Sequence, residues 1–162
     1  MKAWIAGGAL VAAAALTGTL SAQIDPGNAR PMAGEYSAQV SFLSLDLPGA
    51  PPQMADMMSR LMSREITYCL TEAEIEEGYR SILNRSTRDG GESCTYERFS
   101  YSDGEIDAVM QCRVDGRDMR MEMQGTGSAT SSDITMKMSG DFGMGDGSMT
   151  MRAQHQRIGD CS

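Results

Sequence analysis

The dipeptide Asp115-Gly116 stands at the mirror point of two alternating runs, Ala108 to Val114 before it and Arg117 to Met123 after it. Both central positions of a type I′ turn need positive φ, which Asp-Gly accepts, so the pair predicts a tight hairpin. That turn sets Val114 opposite Arg117, Cys112 opposite Met119, Met110 opposite Met121 and Ala108 opposite Met123. Because strand side chains alternate between faces, the register sends the methionines and the cysteine to one side and Arg120, Glu122 and Gln124 to the other.

The same period continues on both sides. Met119, Met121 and Met123 recur as Met138, Met136 and Ile134 across a loop near residues 127–130, and again as Met149, Met151 and Ala153 across the glycine-rich loop 140–147. Upstream, a three-residue turn Ser102-Asp103-Gly104 between Tyr101 and Glu105 places Cys94 opposite Cys112. Residues 94–101, 105–114, 117–124, 133–139 and 148–155 therefore read as a five-strand antiparallel meander. One face carries Cys94, Tyr96, Cys112 and the methionines Met110, Met119, Met121, Met136, Met138, Met149 and Met151; the other carries Arg120, Glu122, Gln124, Thr135, Lys137 and Thr150.

The N-terminal half is mixed. Tyr36, Ala38, Val40 and Phe42 alternate with polar residues in a strand spanning 34–47, which Pro48-Gly49-Ala50-Pro51-Pro52 ends. Met54, Met57, Met58, Leu61 and Met62 recur at helical spacing over 53–63, and Ile66, Tyr68 and Leu70 resume the strand period. Thr71 and Glu74 form a capping box, with the Thr71 hydroxyl accepting from the Glu74 amide, and open a helix to about Leu83. Glu72, Glu74, Glu76 and Glu77 suit the positive end of its dipole, a solvated first turn rather than a metal site. The expected fold is mainly β: a curved antiparallel meander or partial barrel, extended by strands 34–47 and 65–70, with one or two short helices near the methionine face.

Lys2, the apolar run Trp4 to Leu16 and the small residues before Ala22 have the layout of a cleaved signal peptide over residues 1–22. The run is shorter than the about 20 residues a spanning helix needs, so no membrane span is expected after cleavage. Residues 23–33, with two prolines and a glycine, read as a flexible leader, and 34–161 as a single domain. Cleavage removes one of 14 basic and none of 22 acidic residues, taking the net charge of −8 one unit further negative. An acidic, lysine-poor surface repels nucleic acid and anionic headgroups. The expected location is periplasmic or secreted.

Four cysteines allow three connectivities. The hairpin register selects Cys94–Cys112 and leaves Cys69–Cys161 to staple the C-terminus to the segment before the second helix. No Cys-x-x-Cys occurs and exported space oxidises thiols, so structural bridges are expected rather than a metal site.

Catalytic patterns are sparse. His155 is the sole histidine of the 162 residues, no nucleophile motif surrounds it, and its parity puts it at the end of the methionine face as a structural residue. Asp141-Phe142-Gly143 lacks every other kinase element, and the loop Asp141 to Ser148 lacks calcium-loop spacing. No cofactor is implied. The 15 methionines against nine Trp, Tyr and Phe are the unusual feature. Flexible Met fills irregular cores where aromatics are scarce, and Met-lined surfaces also bind adaptable partners. Soft thioethers favour Cu(I), for which Met121, Met136, Met151 and His155 are the candidate ligands. The function read from these residues is a non-catalytic envelope protein that binds an apolar ligand or partner protein through the methionine face, with Cu(I) binding as the alternative.

Several motifs together are distinctive: Gly34-Glu35-Tyr36, the Met-rich stretch after Pro48-Gly49, Tyr68-Cys69-Leu70-Thr71, Cys94, Met110-Gln111-Cys112, the Met-x-Met hairpins and the close Arg157-Ile158-Gly159-Asp160-Cys161. Over residues 34–161 the chain resembles the proteobacterial exported family called domain of unknown function 3617, departing from it in Tyr36, where Trp is usual. The resemblance implies export and a single domain; it brings no activity, catalytic residue or ligand.

Overall fold

A computed structural model describes residues 30–76, 78–88 and 93–161. The expected signal peptide and all but the last four residues of the leader lie outside them. Among the described residues seven strands build one antiparallel sheet: β1 (Gly34–Asp46), β2 (Arg64–Leu70), β3 (Ser93–Ser102), β4 (Glu105–Val114), β5 (Arg117–Gly127), β6 (Ser131–Asp141) and β7 (Asp146–Gly159). The sheet order is β2-β1-β7-β6-β5-β4-β3, and it does not close into a barrel. The meander β3 to β7 is therefore as expected, and β1 and β2 extend it beyond β7. Helix α1 (Gln53–Met62) joins β1 to β2, while α2 (Glu72–Ile75) and α3 (Tyr79–Arg88) join β2 to β3.

Asp115 and Gly116 both have positive φ (48° and 81°), and the β4–β5 pairs are the four expected ones. Cys94 does face Cys112, but by a different route. The β3–β4 turn has two residues, Asp103 and Gly104, again both at positive φ, so Ser102 pairs with Glu105. That register alone would miss the cysteine pairing by one residue. A β-bulge between Tyr96 and Arg98 absorbs Glu97 and restores it. Glu97 and Arg98 consequently both serve the outer face: Glu97 accepts from Gln111 and Arg120, and Arg98 pairs with Asp107.

The β5–β6 register also differs from the expected one. Met121 faces Met138 and Met123 faces Met136, a displacement of two residues that leaves every side chain on its predicted face. The turn is centred one residue later than expected because Ser128 closes it, its amide donating to the Ser131 carbonyl (2.7 Å) while its hydroxyl accepts from the Ser131 amide (3.0 Å). Gly127 belongs to the strand instead. A Cβ there would overlap the Tyr79 ring, so this glycine admits a helix rather than a turn.

The helix opened by Thr71 is not continuous to Leu83. Glu74 does cap it, accepting from both the amide (2.9 Å) and the hydroxyl (2.8 Å) of Thr71. Its first turn then stops, and Gly78 at φ 64° redirects the chain into α3, which runs on to Arg88. The break rotates Tyr79, Ile82 and Leu83 onto the sheet, where they join Ile106, Met110, Met119, Met121, Met123 and Ile134 in one buried cluster. The end of the leader is also tied down: the Met32 amide donates to Ala129 (2.8 Å), and Arg157 donates to the Ala33 carbonyl (2.9 Å).

Because α3 docks where Gly127 leaves room, Gly127→Ala should lower unfolding free energy by about 1–3 kcal/mol, the usual cost of overpacking. Urea denaturation checks this, with Gly116→Asn, a turn change that keeps positive φ accessible, expected to cost less.

Candidate functional site

The inner face is organised as cross-strand rows. One row reads Leu45, Met149, Met138, Met121, Met110 and Tyr96; the next reads Phe42, Met151, Met136, Met123, Ala108 and Phe99. A third holds Val40, Ala153, Ile134, Gly125, Ile106 and Tyr101, and Met119 lies between Cys112 and Gly140. Side-chain size thus falls along the strands, from paired methionines to alanine and glycine. The tyrosines and α3 fill the space on the small side.

Burial divides the seven candidate methionines. Met110, Met119, Met121 and Met149 are buried core. Met136, Met138 and Met151 are only partly buried, and the half-buried rings of Phe42 and Phe142 accompany them. Met123, outside the seven candidates although it shares their alternation, is 0% exposed and central to the core. Helix α1 packs on β1 and α3 on β3, toward opposite edges of the sheet, whereas the partly open methionines lie on β6 and β7 between them, beside the buried Met149 of β7.

The candidate copper ligands are not gathered at one point. Met136 and Met151 face each other, but Met121 belongs to the neighbouring row. His155 stands four residues beyond Met151 on β7, about 13 Å along a strand. Its Nδ1 lies 2.8 Å from the Tyr68 hydroxyl, and the two rings meet edge to face. Burial pushes the imidazole down to about pKa 4, so it is neutral at physiological pH. Ser132, directly across from His155, is buried.

Four tyrosines surround the β5–β6 turn. The Tyr79 hydroxyl donates to the Ser128 and Ser131 carbonyls, Tyr101 donates to Gly127 (3.3 Å), and Tyr36 donates to Met32 (2.8 Å) and Ala129 (3.2 Å). Tyr36 stacks on Tyr68 and Tyr79 leans on Tyr101. Burial raises the Tyr79 pKa, so the phenol stays protonated as a donor. Aromatic pairing and carbonyl capping together close this end of the inner face. The sequence places Tyr36, Tyr68 and Tyr101 on or beside strands, but nothing local in it brings them together with Tyr79 of α3.

The outer face is a charge ladder. Arg152 beside Asp133, Arg98 beside Asp107, and Gln111 with Arg120 at Glu97 hold these carboxyls below the usual range. A shallow trough of about 660 Å³ is lined by residues of β2, β1, β7, β6 and the end of β5, among them Gln39, Glu65, Asp133, Gln154 and His155. Both expected cysteine pairs stand at disulfide distance, with Cα separations of 4.0 Å for Cys94–Cys112 and 5.6 Å for Cys69–Cys161. Such bridges persist in oxidising compartments. No helix among the described residues is long and apolar enough to cross a membrane.

Residues 29–161 match the model of a family described as a protein of unknown function (DUF3617). No curated protein and no solved structure matches the chain.

The half-buried histidine gives a pH signature with a definite sign. Folded His155 resists protonation until about pH 4, whereas the unfolded chain takes up that proton near 6.5. Stability should therefore fall as pH drops from about 6.5 to 4, by on the order of 2–3 kcal/mol. Urea titrations at several pH values should show this slope, and His155→Gln should flatten it. The outer-face carboxylates with lowered pKa begin to lose their own contribution as pH falls below about 4.5 and continue to lose it at lower pH.

Proposed function

The chain belongs to the DUF3617 family, whose function is unknown, and we propose that this member is an exported, non-catalytic protein that holds an apolar ligand against the partly open methionines of β6 and β7. The observation that carries this reading is the division of burial. Met110, Met119, Met121 and Met123 are buried in one cluster with Tyr79, Ile82 and Leu83 of α3, and Met149 is buried on β7, while Met136, Met138 and Met151, with Phe42 and Phe142, keep part of their apolar surface in contact with solvent. Unbranched thioether side chains adapt to ligands of varied shape at little cost in strain. The polar groups of this region do not compete for the site, since the charged ladder occupies the opposite face.

Export is supported by the N-terminal layout of Lys2, the apolar run to Leu16 and the small residues before Ala22, together with the two cysteine pairs. A non-catalytic role is supported by the engagement of the sole histidine with Tyr68. The apolar reading is preferred to Cu(I) because Met121 is buried in a different row from the facing pair Met136 and Met151, and His155 lies about 13 Å further along β7.

Titration of the full mature chain with N-phenylnaphthylamine, a neutral fluorescent apolar probe, tests the proposal. Saturable micromolar binding is expected. It should weaken about tenfold, or 1.4 kcal/mol, in the Met136→Gln/Met151→Gln double variant and be unchanged in Met144→Gln. Non-saturable binding, or equal binding by all three proteins, overturns it.

A further inference from the structure

Three methionines outside the strands' inner rows are strongly exposed, whereas Met54, Met58 and Met62 of α1 are only partly so. Met144 is 58% exposed, Met57 52% and Met32 48%, each far more open than any methionine of the inner rows. Met144 occupies the tip of the β6–β7 loop between Gly143 and Gly145, both at positive φ, with the loop held by the Gly143 amide on Asp141 (2.7 Å) and the Phe142 amide on Gly145 (3.1 Å). Met57 lies on the outward side of α1, a helix with no buried residue. Met32 is anchored through its backbone, its amide on Ala129 and its carbonyl under Tyr36. In all three cases the hydrogen bonds that hold the segment use main-chain or neighbouring atoms, so the sulfur is free to change.

All four cysteines are paired with one another. The thioethers are therefore the sulfurs left to react with a two-electron oxidant. Methionine oxidation converts a flexible apolar side chain into a polar one, tolerable in water and disruptive in a core.

We propose that Met32, Met57 and Met144 form an outer set of sacrificial oxidation sites that consume hydroperoxide without loss of the fold, sparing the inner methionines. The thioether sulfur attacks the distal peroxide oxygen and the O–O bond breaks. Sulfur is oxidised to the sulfoxide, and the peroxide is reduced to water or to the corresponding alcohol, with one oxygen atom transferred per methionine. A sulfoxide at Met144, Met57 or Met32 faces solvent. One at Met121 or Met123 would place a strong dipole among Ile106, Ile134 and Leu83. The partly buried Met136, Met138 and Met151 react at intermediate rates, and their oxidation marks exhaustion of the outer set.

Hydrogen peroxide treatment of the folded, disulfide-bonded chain, followed by proteolysis and mass spectrometry at timed points, tests this. Sulfoxide should appear at Met32, Met57 and Met144 about tenfold faster or more than at Met110, Met119, Met121, Met123 and Met149, as accessibility dictates. Circular dichroism should be unchanged once the three have reacted, and methionine sulfoxide reductase should return the original mass. In the Met32→Leu/Met57→Leu/Met144→Leu variant, whose substitutions are all on the surface, limiting peroxide should instead oxidise Met136, Met138 and Met151 to a greater extent than in the parent. Equal rates at exposed and buried sites, unfolding on reaction of the outer three, or no added oxidation of the inner sites in the variant would each overturn the proposal.

Discussion

The inner face of this protein depends on cross-strand opposition: each methionine is held in place by the residue directly across the ladder. Antiparallel pairing brings opposed Cβ atoms to about 5 Å, close enough for thioether to touch thioether over four consecutive strands, β4 to β7. The rows Met149-Met138-Met121-Met110 and Met151-Met136-Met123 exist only because the turns at Asp115-Gly116, Ser128 and 142–145 hold their registers. A slip of one residue at any of them would turn a strand's methionines to water and its arginines and glutamates inward. The outer ion pairs Arg120–Glu97, Arg98–Asp107 and Arg152–Asp133 are exposed and individually weak, but the same slip would bury them, and in that sense they help to define the register.

A core built of methionine needs something rigid beside it, because each thioether has several rotamers to lose. The tyrosine group at the β5–β6 turn supplies that rigidity. Tyr79 and Tyr101 pack ring on ring while their hydroxyls bind carbonyls of residues 127–131, and Tyr36 secures Ala129 from the other side. The glycines of β5 make this arrangement possible, since Gly127 leaves the space that Tyr79 fills. The sheet is thus firm at its tyrosine end and soft along its methionine rows, and the partly open residues lie in the soft part.

Much of the architecture was legible in the sequence because it rests on local rules. The meander, its faces and the Asp115-Gly116 turn follow from alternation and turn chemistry, whereas Cys94 reaches Cys112 only through the bulge at Glu97. What was not legible depended on contacts between distant segments. Gly127 reads as a turn glycine until Tyr79, nearly fifty residues earlier, is seen above it, and the helix after Thr71 reads as continuous until Gly78 turns Tyr79 toward the sheet. Alternation groups these methionines on one face, but which of them are sealed depends on packing against distant segments, and alternation carries no information about that. Met123 is the clearest instance: its parity matches its neighbours, yet only the packed structure makes it the centre of the core.

The bulge at Glu97 separates the length of the β3–β4 turn from the position of the cysteines. Near the turn the two strands run in one register, and beyond the bulge in another, the change being made by a single unpaired residue. A relative with one more residue at Asp103-Gly104 and one fewer at Glu97 would bring its cysteines to the same opposition, with Tyr96, Phe99 and Tyr101 still facing inward. Insertions and deletions in this hairpin can therefore compensate one another in evolution while the bridge stays fixed, so loop length should drift in this part of the family more freely than its cysteine spacing.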